Sequence, residues 1–350
     1  MVAIGVAPSI AALTGLTGED PIARGVALAV RDLNAEARRA GGPAFVVRMP
    51  AAKVRTAVST ATDLRNDPAV VGVVGPTDSQ SALDAAAVYG DVEHDGARGV
   101  VAISPTATSP ALSGRSPWVF RVCPDDAEAS RAAARFAVDS LGVRRAAIVY
   151  RTDVFGKGWS RAFAAAFAAY GGTVVLRAPE STQVTEWAAP YAAYAKRGQS
   201  DLLVVAGSAA DALPLVRAAR AAGVRVPVLG SDALSDVRDP AARAEFGGVR
   251  YTAFFIARRP PTAVGSRFVA EYAALYGRLP GHQAALAYDA ALLIGRAARA
   301  VGADRRAVRD YLAGVGSARP AFVGATGTIA FDARNDVVNK PVTLARVVDE

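Results

Sequence analysis

Five short segments of this 350-residue chain combine side chains that can hold a small polar ligand, and each follows an apolar, strand-like run. The segments are GPTDS (75–79), SPTATSP (104–110), RTDVFGKG (151–158), AGSAAD (206–211) and GSDAL (230–234). Their hydroxyls, backbone N–H groups and few carboxylates suit a small zwitterionic or polar ligand better than a polyphosphate. The same residue types are good helix N-caps, so capping alone is an alternative for any one of them.

Motifs for catalysis or for a cofactor do not accompany these turns. No G-x-G-x-x-G follows the first strand-like run, GKGWS lacks the Walker spacing, and no G-x-S-x-G elbow occurs. The two histidines, His94 and His282, lie in separate segments without a metal-ligand spacing. We therefore expect no catalytic residue, no cofactor and no metal site, although the sequence alone leaves an acidic catalytic pair open.

Short β-rich runs alternate with Ala-rich segments of helical period, first over residues 2–121 and again over 145–230. Near-continuous apolar strands separated by amphipathic helices are typical of parallel sheets covered on both faces. Such open sheets bind ligands outside the carboxyl ends of their strands, which is where the five turns lie. The pattern predicts two doubly wound α/β lobes.

The alternation stops after residue 257, where three helical segments follow one another and two short strands close the chain. If these helices return to the first lobe and the last strand to the second, the chain crosses three times, near 121–125, 250–257 and 332–340. The predicted lobes are then 1–122 with 256–333, and 123–255 with 334–350. One long doubly wound domain remains the alternative.

Composition and charge narrow the function classes further. The chain is 52% hydrophobic and 21% charged, which is typical of a globular protein. Its formal charge of +8 comes from scattered basic residues, so we expect no nucleic-acid partner. Cys123, the single cysteine, excludes an internal disulfide and is expected to be buried or half-buried. No stretch of about 18 uncharged apolar residues predicts a membrane span.

The turns and their surroundings resemble the type I periplasmic binding proteins, specifically the Leu/Ile/Val-binding-protein-like family of ABC transporters. Eight segments carry the resemblance, in the family's order: GVALAVRDLNA (25–35), VVGPTDSQSA (73–82), VVAISPTATSPALS (100–113), VFRVCPDD (119–126), AAIVYRTDVFGKGWSRAF (146–163), RAAGVRVPVLGSDAL (220–234), ALAYDAALLIGRA (285–297) and TGTIAFDARND (326–336). The resemblance implies two Rossmann-like lobes joined by three crossing segments.

It also implies roles for individual residues. Ser79 matches a serine that holds the ligand's α-carboxylate, and Thr106 and Thr108 match a pair that contacts the carboxylate and the ammonium. Phe155 stands where the family often has a Tyr that packs on the ligand, and Asp232 where an acidic residue takes the α-ammonium. Two further positions line the expected pocket, Ser208 and Gln283.

The sequence departs from the family at several of these places. Ser208 and Gly18 lie where some members have aromatic side chains, which predicts a pocket shaped for a ligand other than leucine. The loop YGDVEHDGARG (89–99) looks longer than usual and is interpreted as a lineage-specific surface feature.

The resemblance implies a non-enzymatic, monomeric receptor that closes by hinge bending on a small amino acid, related carboxylate or amide and delivers it to a membrane permease. We expect it outside the cytoplasm, with an export signal removed from the given sequence. Three alternatives stay open: a cytoplasmic ligand-sensing regulator of the amide-sensor kind, the ligand-binding domain of a larger receptor, and an enzyme of unknown type.

Overall fold

A computed structural model describes residues 1–8, 20–51, 56–179, 191–193, 195–235 and 244–347. The chain divides into two compact units. Unit 1 comprises Met1–Pro124 and Arg259–Lys340, and unit 2 comprises Asp125–Arg258 and Pro341–Glu350. The chain thus passes between units after residues 124, 258 and 340, where the sequence analysis had set its boundaries at 122, 255 and 333. That the units act as ligand-binding lobes stays a prediction.

Strands and helices alternate through most of the described chain. The strands are β1 (Val2–Val6), β2 (Phe45–Arg48), β3 (Val70–Val74), β4 (Val101–Ser104), β5 (Val119–Arg121), β6 (Arg145–Tyr150), β7 (Thr173–Pro179), β8 (Leu202–Ala206), β9 (Val228–Gly230), β10 (Arg250–Ala253), β11 (Phe322–Gly324), β12 (Gly327–Ile329) and β13 (Thr343–Arg346). The helices are α1 (Pro21–Ala40), α2 (Ala57–Asn66), α3 (Ser79–Tyr89), α4 (Asp126–Asp139), α5 (Val154–Ala169), α6 (Ala209–Ala221), α7 (Ala263–Tyr276), α8 (His282–Val301) and α9 (Arg305–Ala313).

Unit 1 is built on a five-stranded parallel sheet in the order β2-β1-β3-β4-β5. Strands β1, β3, β4 and β5 are buried along their whole length. This burial explains why their sequences are continuously apolar rather than alternating. The sheet has a carboxyl edge, where α3 begins after β3, and an amino edge at its other end.

The helices α7, α8 and α9 belong to unit 1, although they follow unit 2 in the sequence. Helix α8 packs against α1 so closely that a Cβ on Gly25 would lie 2.2 Å from the carbonyl oxygen of Ala284. Only glycine permits this approach. The apolar residues of α8 are buried almost all round, as expected for a helix enclosed by a sheet and other helices.

Unit 2 is built on a six-stranded sheet in the order β13-β10-β9-β8-β6-β7. Its strands run parallel except for β13, which pairs antiparallel with β10 and places Ala345 opposite Tyr251. One face is covered by α5, whose Trp159, Phe163 and Phe167 stack in series with ring centroids 5.5 and 5.4 Å apart. The i, i+4 spacing of these rings places them on one side of the helix, against the sheet.

Two further features complete the fold. Strands β11 and β12 form a short antiparallel hairpin in unit 1, which the sequence analysis did not predict. Cys123 is buried, as expected. Among the described helices, none has both the length and the apolar character needed to cross a bilayer.

Candidate functional site

The turns after β3 and β4 of unit 1 are joined by hydrogen bonds at the carboxyl edge. Ser104 Oγ donates to the carbonyl oxygen of Pro76 (2.5 Å), and Thr106 Oγ1 donates to that of Thr77 (2.6 Å). The first turn begins at Gly75, with φ at +118°, where a Cβ would lie 2.2 Å from the carbonyl oxygen of Ala7. A residue with a side chain would not fit there. The two turns therefore form one surface.

Ser79 is the first residue of α3, but it does not cap that helix. Asp78 is the N-cap and accepts a hydrogen bond from Ser81 N at 2.8 Å. The buried Ser79 hydroxyl instead accepts a hydrogen bond from Ser109 N at 3.2 Å, across the two turns. As the acceptor of that bond, it keeps its own hydrogen to donate to a carboxylate.

The two threonines of the second turn differ in their surroundings. Thr106 is half-buried and has committed its hydrogen to Thr77, so its oxygen is left to accept. Thr108 is fully buried, and its Oγ1 has no hydrogen-bond partner among the described residues. Beneath them, the buried Arg121 donates to the carbonyl oxygen of Ser109 (3.0 Å) and pairs with Asp336 (2.7 Å). This pair fixes the second turn from below.

Gln283 lies at the same edge of the unit 1 sheet. Helix α1 follows β1 and therefore begins at the carboxyl edge. Helix α8 runs alongside in the same direction, because Ala284 faces Gly25 near both starts and Arg299 pairs with Glu36 (2.9 Å) near both ends. Gln283, the second residue of α8, is half-buried there. Gly18 lies outside the described residues.

Three neighbouring strands of unit 2 also carry predicted residues at their carboxyl ends. Phe155 is the second residue of α5, after β6, and packs half-buried against the unit 2 core. Ser208, after β8, is the N-cap of α6 and donates its hydroxyl to Asp211 Oδ2 at 2.6 Å. Capping therefore already uses the Ser208 hydroxyl. Arg151 pairs with Asp153 (2.7 Å) and lies 3.8 Å from Asp211, which joins the two turns.

Asp232 follows β9 and begins a short 3-10 turn that ends at Ser235. Its side chain is 4% exposed, and its Oδ1 has no hydrogen-bond partner among the residues the structure describes. Burial raises the pKa of Asp232, and the charge of Asp126 raises it further, to about 8. The carboxyl group is therefore held in a place where its ionised form is disfavoured.

Asp126 is a further candidate site residue, which the sequence analysis did not single out. It is the first residue of α4 and is fully buried, while Asp125 caps the helix by accepting from Glu128 N at 2.9 Å. The sequence contains a signal: in PDD a second aspartate follows one that suffices as the cap. The helix dipole also favours an acidic residue in the first helical turn. The second aspartate therefore does not stand out in the sequence.

The two histidines differ in their surroundings. His282 begins α8 and is buried, and burial lowers its pKa to about 4, so it is neutral at pH 7. His94 is about half exposed, with Nδ1 3.0 Å from Asp91. Within the described ranges, no group of three or more His, Cys, Asp or Glu side chains is arranged to hold a metal ion.

Hydroxyl and N–H donors at the carboxyl edge of one parallel sheet, and buried carboxyls at that of another, are features of a type I periplasmic binding protein. The model of the family described as "Periplasmic binding protein" matches residues 2–350. The chain belongs to this family.

Relatives with known names agree with this assignment. The chain is 26% identical to the Leu/Ile/Val-binding protein of Escherichia coli K12 over 215 residues, which are 61% of this chain and 56% of the relative. The match thus spans little more than half the length of this curated relative.

Two solved structures share the fold over nearly the whole chain. One is the branched-chain amino acid transporter substrate binding protein LivJ from Streptococcus pneumoniae in complex with isoleucine (TM-score 0.80, 25% identity, covering 98% of this chain and 95% of that one). The other is an ABC transporter substrate-binding protein from Desulfitobacterium hafniense in complex with Leu (TM-score 0.82, 24% identity, 98% and 96%). The second protein is only 24% identical to this chain, so its likeness establishes the fold alone.

Proposed function

We propose that this chain is a solute-binding protein for a small amino acid, whose ammonium group is recognised by Asp232 beside Asp126. The observation that carries the proposal is the buried Asp232 carboxyl, whose Oδ1 lacks a partner among the described residues and whose pKa is raised to about 8. A buried charge that stays unpaired is costly, and a ligand cation removes that cost. Two neighbouring acids favour an ammonium ion over a neutral group.

The turns of unit 1 would bind the other end of the ligand, its α-carboxylate. Ser79 keeps a hydrogen to donate, and Thr108 has a buried hydroxyl without a partner among the described residues. Thr106 adds an acceptor, which suits the ammonium rather than the carboxylate. Hydrogen bonds from hydroxyls to a carboxylate are charge-assisted and therefore strong. We assign the α-carboxylate to Ser79 and Thr108.

Three residues would shape the rest of the pocket. Phe155 offers an apolar face to the ligand side chain, and Gln283 offers an amide at the carboxyl edge of unit 1. Ser208 contributes through its position, since its hydroxyl is occupied by Asp211. The protein solved with isoleucine supports an aliphatic amino acid as the first candidate.

The wider role follows the family. We propose that the protein acts outside the cytoplasm as a monomer, binds its ligand without changing it, and delivers it to the membrane permease of an ABC transporter. It requires no cofactor for this role.

The test is a thermal-shift screen confirmed by calorimetry, because a ligand that binds only the folded protein raises its apparent stability. The panel contains L-leucine, L-isoleucine, other amino acids, amides and aromatic carboxylates. Two truncated analogues serve as matched controls: 4-methylpentanoate, which is leucine without its amine, and isoamylamine, which lacks the carboxylate. We expect a zwitterionic amino acid to raise the melting temperature and both analogues to fail.

Two outcomes would contradict the proposal. Equal binding of leucine and 4-methylpentanoate would remove the role of Asp232 and Asp126. Recovery of a chemically altered ligand after incubation, detected by mass spectrometry, would show an enzyme.

A further inference from the structure

The amino edge of the unit 1 sheet contains a pocket of about 490 Å³, at the opposite end of the strands from Ser79 and Thr106. Its walls come from three segments: residues 87–96 before β4, residues 115–118 before β5, and the first turns of α9. The first wall includes most of the 89–99 loop, which the proposed function does not use. The volume lies within the range of small-molecule sites, about 300–1,000 Å³.

The pocket is strongly cationic. Arg115, Arg306 and Arg309 line it, and Asp95 is the one acidic residue in its lining. Arg115 and Arg306 are exposed and form no ion pair with any residue that the structure describes. Arg309 is held in place, since it pairs with Asp310 and its guanidinium lies 4.8 Å from the centre of the Trp118 ring. Two of the three positive charges are therefore available to a ligand.

The wall formed by α9 is fixed by one side chain. Arg305, the first residue of α9, donates to the carbonyl oxygens of Asp67 (2.6 Å), Val70 (2.7 Å) and Arg65 (2.8 Å) at the start of β3. Burial lowers the pKa of Arg305. Arg306 and Arg309 therefore lie on a helix whose first residue is fixed to the segment before β3.

The wall formed by the loop is fixed by Asp91. This fully buried carboxylate accepts from Arg98 N (2.8 Å) and pairs with Arg65 (2.9 Å). Backbone and side-chain bonds of this kind lower its pKa, so it is ionised at neutral pH. The third wall offers Ser116, whose hydroxyl accepts from Trp118 N (3.2 Å) and keeps its hydrogen for a ligand.

We propose that this pocket binds a small anion that carries carboxylate or phosphate groups, separately from the amino acid at the carboxyl edge. The planar guanidinium groups of Arg115 and Arg306 match the geometry of either oxyanion. Ser116 adds a neutral donor, and the three arginines outnumber Asp95, the one carboxylate in the lining, so the net charge favours an anion. The preformed walls reduce the conformational cost of binding.

The experiment uses citrate and inorganic phosphate as probes, titrated calorimetrically into the full chain at low ionic strength. The double variant Arg115→Gln/Arg306→Gln removes the two unpaired charges. Arg38→Gln/Arg39→Gln removes the same charge from the exposed last turn of α1 and is the matched control. We expect at least about tenfold weaker binding in the pocket variant and wild-type affinity in the control.

The probe that binds more tightly identifies the ligand class: citrate indicates a polycarboxylate, and phosphate a phosphate ester. Equal weakening in both double variants would assign the binding to net charge and overturn the proposal. Absence of binding of both probes to the wild type would also overturn it. Leucine affinity should be the same in all three proteins, so this test stands apart from that of the amino-acid site.

Discussion

Two buried aspartates, Asp289 in unit 1 and Asp232 in unit 2, have opposite surroundings. Asp289 of unit 1 accepts hydrogen bonds from Ala325 N (2.6 Å), Thr326 N (2.8 Å) and Thr326 Oγ1 (2.5 Å). The buried Lys340 donates to the same threonine hydroxyl at 2.5 Å. Asp232 of unit 2 has an Oδ1 with no partner among the described residues.

The influences on the pKa values of Asp289 and Asp232 differ as well. Burial raises the pKa of Asp289, but Lys340 and the bonds from Thr326 and Ala325 oppose that rise. For Asp232, burial and the charge of Asp126 act in the same direction. The fold itself satisfies Asp289, so we interpret it as structural. The Oδ1 of Asp232 has no such partner among the described residues, which is why we propose that a ligand cation satisfies it.

Asp289→Asn should have the largest effect, and on stability. The amide NH₂ would face an N–H donor of the β11–β12 hairpin, and the charge that supports the buried Lys340 would be lost. A buried donor left without its acceptor costs about 1–3 kcal/mol, and more where a charged group is involved. We expect a clearly lower urea midpoint, whereas Asp84→Asn on exposed α3 surface should leave it unchanged. A wild-type midpoint in Asp289→Asn would refute the structural interpretation.

Asp232→Asn should weaken ligand binding without lowering the stability of the protein. The substitution keeps the shape of the side chain, and a carboxyl whose pKa is about 8 is largely uncharged in the free protein at pH 7, so the urea midpoint should not fall. Leucine binding should weaken about 100-fold by calorimetry, because a buried charge pair with the ammonium is lost. The control Asp139→Asn alters an exposed carboxylate of the same unit. Unchanged affinity in Asp232→Asn would eliminate the ammonium assignment.

The pH dependence of leucine binding tests whether Asp232 loses a proton when the ligand binds. Binding of the ammonium requires ionised Asp232, whose pKa in the free protein is about 8. Below that pH one proton must leave on binding, so affinity should rise about tenfold from pH 6 to 7 and level off above about pH 8. Calorimetry across this range measures the slope, and Asp232→Asn should be flat. A flat wild-type profile would exclude proton release.

The unliganded protein should respond to pH in the opposite direction. A carboxyl whose folded-state pKa is raised from 3.8 to about 8 binds its proton more tightly when folded. Its contribution to stability is therefore present at low pH and is lost as the pH rises towards 8. Saturating leucine should remove this loss, which urea midpoints at pH 5 and 8 can show.

Ser79→Ala should have the smallest effect of the series. It removes one donor to the ligand carboxylate and one acceptor for Ser109 N. A single hydrogen bond contributes about 1 kcal/mol, which corresponds to roughly fivefold weaker leucine binding. Ser266→Ala, on the exposed side of α7, is the control and should bind normally. Equal affinities of the two variants would remove Ser79 from the site.

The fold could be predicted well because its signals are local. Continuous apolar runs marked the parallel strands, and the change to consecutive helices after residue 257 marked the segment that belongs to unit 1. The short β11 was missed, since three residues, one of them half-buried and one exposed, carry no period.

The candidate site was predicted where residue type and turn position coincide, as at Ser79 and Asp232, and the role of these residues in binding stays a prediction. Asp126 was missed because a helix-start aspartate looks the same whether it caps the helix or faces a second acid. Ser208 resembled a ligand residue, yet Asp211 three positions later already formed a capping box with it. Pairing between distant residues, such as Asp289 with Thr326, has no local pattern at all.

The close packing of α1 on α8 also constrains how the chain can fold as it is made. The face of α1 that carries Gly25 meets its partner only after the ribosome has added some 260 further residues, as the contact with Ala284 shows. By then β6–β10 of unit 2 have all been synthesised, and that unit waits only for the edge strand β13. Domains generally fold as units during synthesis. Unit 2 can therefore assemble first, while the sheet of unit 1, whose five strands are complete by residue 121, lacks its helices α7–α9 until the last quarter of the chain emerges.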